Sequence, residues 1–106
     1  MDYTANPLSL EQILATDGLL LLDFGTNWCG WCGRARYAVD AALAGRSDVR
    51  HVRVEDGPGR RLGRHFGVRL WPTLVLLRDG VELARAVRPA DRAEVEALLA
   101  GVASAP

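Results

Sequence analysis

Leu19-Leu20-Leu21-Leu22-Asp23-Phe24, followed shortly by Trp28-Cys29-Gly30-Trp31-Cys32, is the stretch that decides how the rest of the chain is read. The first run is apolar on both alternating faces, which marks a buried central strand. Asp23 is its anomaly, a carboxylate where only apolar burial is expected. A helical pattern opens at Arg34, so a strand, a short loop and a helix N-terminus meet at both of the chain's cysteines. Unpaired backbone N–H groups and the positive end of the helix dipole favour a thiolate there. Cys29 is therefore expected to be acidic and nucleophilic. Cys32, one turn further in, is placed to attack any mixed disulfide that Cys29 forms.

Outward from this centre, Ala35, Ala38, Val39, Ala42 and Leu43 recur at helical spacing, with Arg34, Arg36, Asp40 and Arg46 off the stripe and Gly45 as the stop. Val49 to Glu55 reads as a strand, which a right-handed crossover lays parallel to the first. Asp56-Gly57-Pro58-Gly59 is a loop, and Arg60 to His65 a short helix before Gly67. Thr73 to Leu77 is an apolar strand, and Asp79-Gly80 before Val81-Glu82-Leu83 is a strong hairpin signal. Pro72 cannot donate to a ladder and so stands at that strand's first residue. Asp91 with Glu94 forms a capping box for a last helix presenting Val95, Leu98, Leu99 and Val102, with a stop near Gly101 and a frayed Ser104-Ala105-Pro106. Upstream, Ser9 with Gln12 opens a short helix through Leu10, Ile13 and Leu14 that ends at Asp17-Gly18. The order is a mixed sheet with helices on both faces.

At 106 residues the chain is expected to form a single domain over residues 1–106 with one core. Thirteen basic and thirteen acidic side chains balance, and all the bases are arginine, which argues against nucleic acid as a partner. No basic leader opens at Met1-Asp2-Tyr3, and the aliphatic run Leu19 to Leu22 is too short to span a bilayer, so the expectation is a cytoplasmic protein without a membrane partner, unless the chain is a trimmed domain of an exported one. Two cysteines spaced C-x-x-C in a reducing compartment read as redox-active or metal-binding. For metal, His51 and His65 would have to complete a Cys₂His₂ zinc site. Their thirteen intervening residues fall outside the usual spacing of about three to five. A c-type haem site fails because Gly33 follows Cys32.

Taken together, Asp23-Phe24, Trp28-Cys29-Gly30-x-Cys32, Phe66-Gly67-Val68-Arg69 before Pro72-Thr73, and Asp79-Gly80 resemble the thioredoxin family in order and near spacing over almost the whole chain. The resemblance implies a thioredoxin-like three-layer α/β/α sandwich with a mixed central sheet. It also implies a thiol–disulfide oxidoreductase, with no cofactor bound beyond a redox-active Cys29–Cys32 disulfide. In it Cys29 attacks, Cys32 resolves, Asp23 exchanges a proton with Cys32, and Pro72 is cis beside the dithiol. The residue before Pro72 would pair its backbone with an extended substrate. Implied partners are protein disulfides and, as electron donor, a flavoprotein thioredoxin reductase drawing on NADPH, or glutathione; the protein is expected to be a monomer.

Several positions depart from that pattern. Trp31 stands in place of a proline and restores an N–H expected to aim at Cys29, which would favour the reduced form. The expected redox potential is therefore some tens of millivolts less negative than about −270 mV. Gly25 replaces an aromatic residue, and Trp71, before Pro72, is expected to refill the space. Tyr37 replaces a helix-kinking proline. Arg88-Pro89 replaces a Gly-Ala pair, so a guanidinium narrows the groove and favours acidic partners. Either His51 or Arg53 stands where the family keeps a buried lysine. Asp23, with no arginine in the run beside it, is expected to be buried with a pKa raised by desolvation, so that Asp23→Ala would stabilise the fold by about 1–3 kcal/mol. Trp28, Gly30, Trp31, Trp71 and Arg88 are the candidate substrate contacts, the aromatic ones as a patch around the dithiol. The alternatives are an oxidant or isomerase on the same fold, or a binding module whose Cys-x-x-Cys holds metal.

Overall fold

In the computed structural model, which describes residues 2–103, the elements run α1 (Leu10–Leu14), β1 (Leu19–Gly25), α2 (Gly30–Leu43), β2 (Val49–Glu55), α3 (Arg61–His65), β3 (Thr73–Arg78), β4 (Val81–Val87) and α4 (Arg92–Ala103). The strands form one sheet in the order β2-β1-β3-β4. β1 pairs parallel with β2 and antiparallel with β3, and β3 pairs antiparallel with β4.

Period-two alternation sorts the strand residues into two cores. Leu21, Leu74 and Leu76 pack on Val39 and Ala42 of α2 and on Val95, Leu98 and Leu99 of α4. Leu20, Leu22, Phe24, Val75 and Leu77 pack on the other face against Ile13, Leu62 and Phe66, from α1, α3 and the residue that follows α3. β1 is thus covered on both sides, as its unbroken apolar run requires. Each fully buried leucine contributes about 1.5–3 kcal/mol of transfer free energy.

The expected signals mostly do what their chemistry demands. Ser9 Oγ accepts the Gln12 N–H at 3.0 Å while Gln12 Oε1 accepts the Ser9 N–H at 2.8 Å, a complete capping box. Asp79 and Gly80 have φ of 50° and 81°, the left-handed pair that a two-residue hairpin of matching twist needs. Asp91 caps α4 by accepting the Glu94 N–H at 3.0 Å, but Glu94 accepts the Ala90 N–H rather than that of Asp91. α4 also runs through Gly101 to Ala103. A helical glycine costs about 1 kcal/mol, too little to end a helix by itself. The side chain of Val102 and the segment Ser104-Ala105-Pro106 lie outside the described residues.

Two features differ more substantially. α2 begins at Gly30, four residues before the helical pattern becomes legible at Arg34, because a first turn whose N–H groups lack intrahelical partners tolerates Gly30 and Trp31. The segment before α1 joins β2 through a parallel bridge of Thr4 with Val54, in which the Glu55 N–H donates to the Thr4 carbonyl at 2.9 Å. One bridged residue leaves no periodicity to detect, yet it fixes where Tyr3 lies.

Candidate functional site

The strand register assembles the site. Leu21 faces the α2 side, so Asp23 and Gly25 face it too, and the parallel register sets His51 beside Leu21 and Arg53 beside Asp23 on that same face. From above, α2 buries Cys32, Ala35 and Val39, spaced three and four apart. Cys32 therefore comes down over the end of β1 at which Asp23 lies.

Asp23 is 1% exposed, as expected, but it is far from unpartnered. Its Oδ1 accepts the Tyr3 hydroxyl at 2.7 Å. Its Oδ2 accepts Arg53 Nε at 3.2 Å and lies 3.1 Å from His51 Nε2. The Arg53 guanidinium, itself buried, reaches on to Asp40 Oδ1 at 3.2 Å. The expectation of an acid isolated in an apolar run is thereby corrected: His51 and Arg53 come from the neighbouring strand and Tyr3 from the segment before α1, and the linear sequence sets none of them beside it. Of His51 and Arg53, the two candidates for the position of the family's lysine, both touch the carboxylate.

The two sulfurs differ sharply in setting. Cys29 is the N-cap of α2 and half-buried, and its Sγ accepts the Cys32 N–H at 3.2 Å. The donor is the Cys32 amide, not that of Trp31, because a side chain at an N-cap folds back onto the third residue of the helix. Cys32 is 2% exposed, and both thiols are free. Burial, followed by the hydrogen bond with Cys29, pushes the Cys32 thiol up to about 12, against the pull of the Thr26 backbone and the Tyr3 side chain. Desolvation and the Asp23 charge likewise hold the Tyr3 phenol well above its ordinary range.

Gly25 explains how these groups come so close. A Cβ there would lie 2.6 Å from Cys32 Sγ and 2.8 Å from Tyr3 Cζ. The space is filled by the Tyr3 ring, not by Trp71, whose Nε1 donates instead to Asp56 Oδ2 at 2.9 Å. Tyr3 is 5% exposed, and the Asn27 side chain clamps its backbone by accepting from Tyr3 N at 2.9 Å and donating to Tyr3 O at 3.1 Å. Neither Tyr3 nor Asn27 is marked by any motif. The only sign of them in the sequence is the missing side chain at Gly25.

Around the mouth, the Trp71–Pro72 peptide is cis. Arg88, at φ 50°, donates its N–H to the Pro72 carbonyl at 2.8 Å and its Nε to the Trp71 carbonyl at 2.9 Å. Its guanidinium lies 5.1 Å from the Trp31 ring, and that of Arg34 lies 4.5 Å from the same ring. Trp28 and Trp31 are 79% and 47% exposed, whereas Trp71 is part-buried, and Gly30 has open space where a side chain would be. Arg36 pairs with Asp2 at 3.6 Å. His51 lies on Asp23 and the His65 ring is edge-on to Phe66, 4.9 Å between centroids, so the two histidines do not complete a site with the cysteines. Among the described residues no three His, Cys, Asp or Glu side chains converge as metal ligands would.

A capped, half-exposed thiol over a buried partner, on a mixed sheet flanked by helices, defines a thiol–disulfide oxidoreductase. The family model described as Thioredoxin matches residues 4–101, and the chain belongs to the thioredoxin family. It is similar to thioredoxins of Chlamydia muridarum, 35% identical over 71% of this chain and 74% of that protein, and of Chlamydia caviae, 34% identical over 79% and 81%. Among solved structures, reduced thioredoxin 2 from Pseudomonas aeruginosa superposes with a TM-score of 0.85 at 42% identity, covering 99% of this chain and 98% of the other. Within its class the chain is a protein-disulfide reductase.

Proposed function

We propose that Cys29 is the attacking sulfur and Cys32 the resolving one. Cys29 displaces one sulfur of a substrate disulfide as a thiolate and forms a mixed disulfide with the other. Cys32 loses its proton and attacks Cys29 Sγ, forming the Cys29–Cys32 bond and releasing the second substrate sulfur. Two electrons pass from the dithiol to the substrate, and an external reductant restores the thiols. The observation that carries this reading is the contrast between the half-exposed sulfur capped by the Cys32 amide and the buried sulfur beneath it.

Protein disulfides are the substrates, and a flavoprotein thioredoxin reductase drawing on NADPH, or glutathione, is the electron donor. We place the protein in the cytoplasm as a monomeric single domain working in electron transport and redox homeostasis. Trp28, Gly30 and Trp31 form the rim that meets substrate, and Trp71, with cis Pro72, presents backbone to an extended strand. Arg88 already occupies the Trp71 carbonyl and, with Arg34, brackets Trp31 with positive charge, which favours acidic segments beside the disulfide. Reduction of insulin disulfides tests the assignment: activity that survives a chelator and disappears in Cys29→Ser supports it. Activity that persists in Cys29→Ser, or is lost to the chelator, overturns it.

A further inference from the structure

Resting on the roles just given to the two cysteines, we propose that the Tyr3 hydroxyl is a proton relay between Cys32 Sγ and the Asp23 carboxylate. The buried sulfur must shed a proton before it can attack, at a place that bulk water does not reach. The Tyr3 ring fills the hollow over Gly25 together with Cys32 Sγ, and its hydroxyl donates to Asp23 Oδ1 at 2.7 Å. The two carboxylate oxygens divide the work. Oδ2 meets Arg53 and His51, which leaves Oδ1 to Tyr3. The phenol is held in place from two directions, since Asn27 grips its backbone through both N–H and carbonyl, and Arg53 Cζ lies 6.0 Å from its ring.

The step balances without a charged phenol. As the Cys32 S–H proton passes to Tyr3 Oη, the Tyr3 proton passes to Asp23 Oδ1, so tyrosine is neutral before and after and the net transfer is from sulfur to carboxylate. The Cys32 thiolate then attacks Cys29 Sγ as the substrate thiolate departs. When the disulfide is reduced again, the same path returns the proton to Cys32, so no outlet to solvent is needed. The charged and titratable groups facing the hydroxyl are Asp23 from β1, Arg53 from β2 and Cys32 from α2; His51 and Asp40 stand behind them.

The test separates the two sulfurs. Mixed with dithiobis(nitrobenzoate), the reduced protein releases one chromophore when Cys29 attacks and a second when Cys32 resolves. Tyr3→Phe keeps the ring and removes the hydroxyl. The first phase should be unchanged, which also shows that the variant is folded. The second should slow by on the order of 10²-fold, the usual worth of a positioned proton-transfer group. With the relay gone, the proton leaves only when the site opens transiently to hydroxide, so the second phase of Tyr3→Phe should rise close to tenfold per pH unit, more steeply than in the unmodified protein. Because the two groups act as one path, Tyr3→Phe with Asp23→Asn should be no slower than the slower single variant. In the unmodified protein the second phase alone should slow in deuterium oxide, a readout that needs no variant. A second phase unaltered in Tyr3→Phe, equal slowing of both phases, additive losses in the double variant, or no isotope effect overturns the relay. Absence of the first phase in the unmodified protein would instead overturn the roles of the cysteines.

Discussion

At the scale of single residues, burial and charge are shared among a few side chains beneath α2, and each can be removed in turn. Removing the Asp23 carboxylate takes from the buried Arg53 guanidinium a buried, oppositely charged partner at 3.2 Å. Asp23→Ala should therefore destabilise the fold by about 3 kcal/mol, the scale of breaking a buried ion pair. That is opposite in sign to what an isolated acid in an apolar strand would give, and urea unfolding of the reduced protein reads it directly. Cys32 supplies a pH dependence. Its thiol is raised from 9.0 to about 12, so the folded state holds that proton where the unfolded chain has released it. The stabilisation is fully present below pH 9 and is lost as pH climbs from there towards 12. The urea midpoint of the reduced protein should fall across that window, and Cys32→Ser should flatten the fall. At neutral pH, iodoacetamide should label Cys29 and spare Cys32, as peptide mapping would show. Gly25→Ala sets a Cβ against Cys32 Sγ and Tyr3 Cζ, and overpacking of this kind costs about 1–3 kcal/mol.

Among the elements, the helix caps and the strand register carry separable energies. Ser9→Ala removes one half of the capping box on α1 and should cost about 1 kcal/mol in thermal or urea unfolding, with disulfide reduction unchanged. Arg88→Ala frees the Trp71 carbonyl and withdraws one cation from Trp31. The ratio of kcat/KM for acidic over basic peptide disulfides should fall by up to about fivefold, the equivalent of about 1 kcal/mol for one exposed charge. The elements themselves were largely legible, since a continuous apolar run, an Asp-Gly turn and a Ser-x-x-Gln cap each state a local physical requirement. The placement of Cys29, Cys32 and Pro72 followed from the same local logic. What strand neighbours contribute was not legible in that way. Arg53 is thirty positions from Asp23, and only the parallel register sets them side by side. Tyr3 was less visible still: Gly25 announced an empty volume, but the ring that fills it comes from a segment with no periodicity of its own.

For the molecule as a whole, one half-exposed sulfur and one buried sulfur at a helix mouth make a device that accepts a substrate disulfide and then closes on itself. The Cys32 amide on the Cys29 sulfur favours the dithiol, but a proline at position 31 would leave that amide in place, so the rise in redox potential expected from the Trp31 N–H is withdrawn. The central claim, that position 29 attacks and position 32 resolves, is tested most directly by capture of the mixed disulfide. Incubated with a disulfide-bonded protein and analysed by mass spectrometry without reductant, Cys32→Ser should accumulate a covalent adduct through Cys29, and Cys29→Ser should accumulate none. An adduct through Cys32 in Cys29→Ser, or none in Cys32→Ser, would contradict these roles.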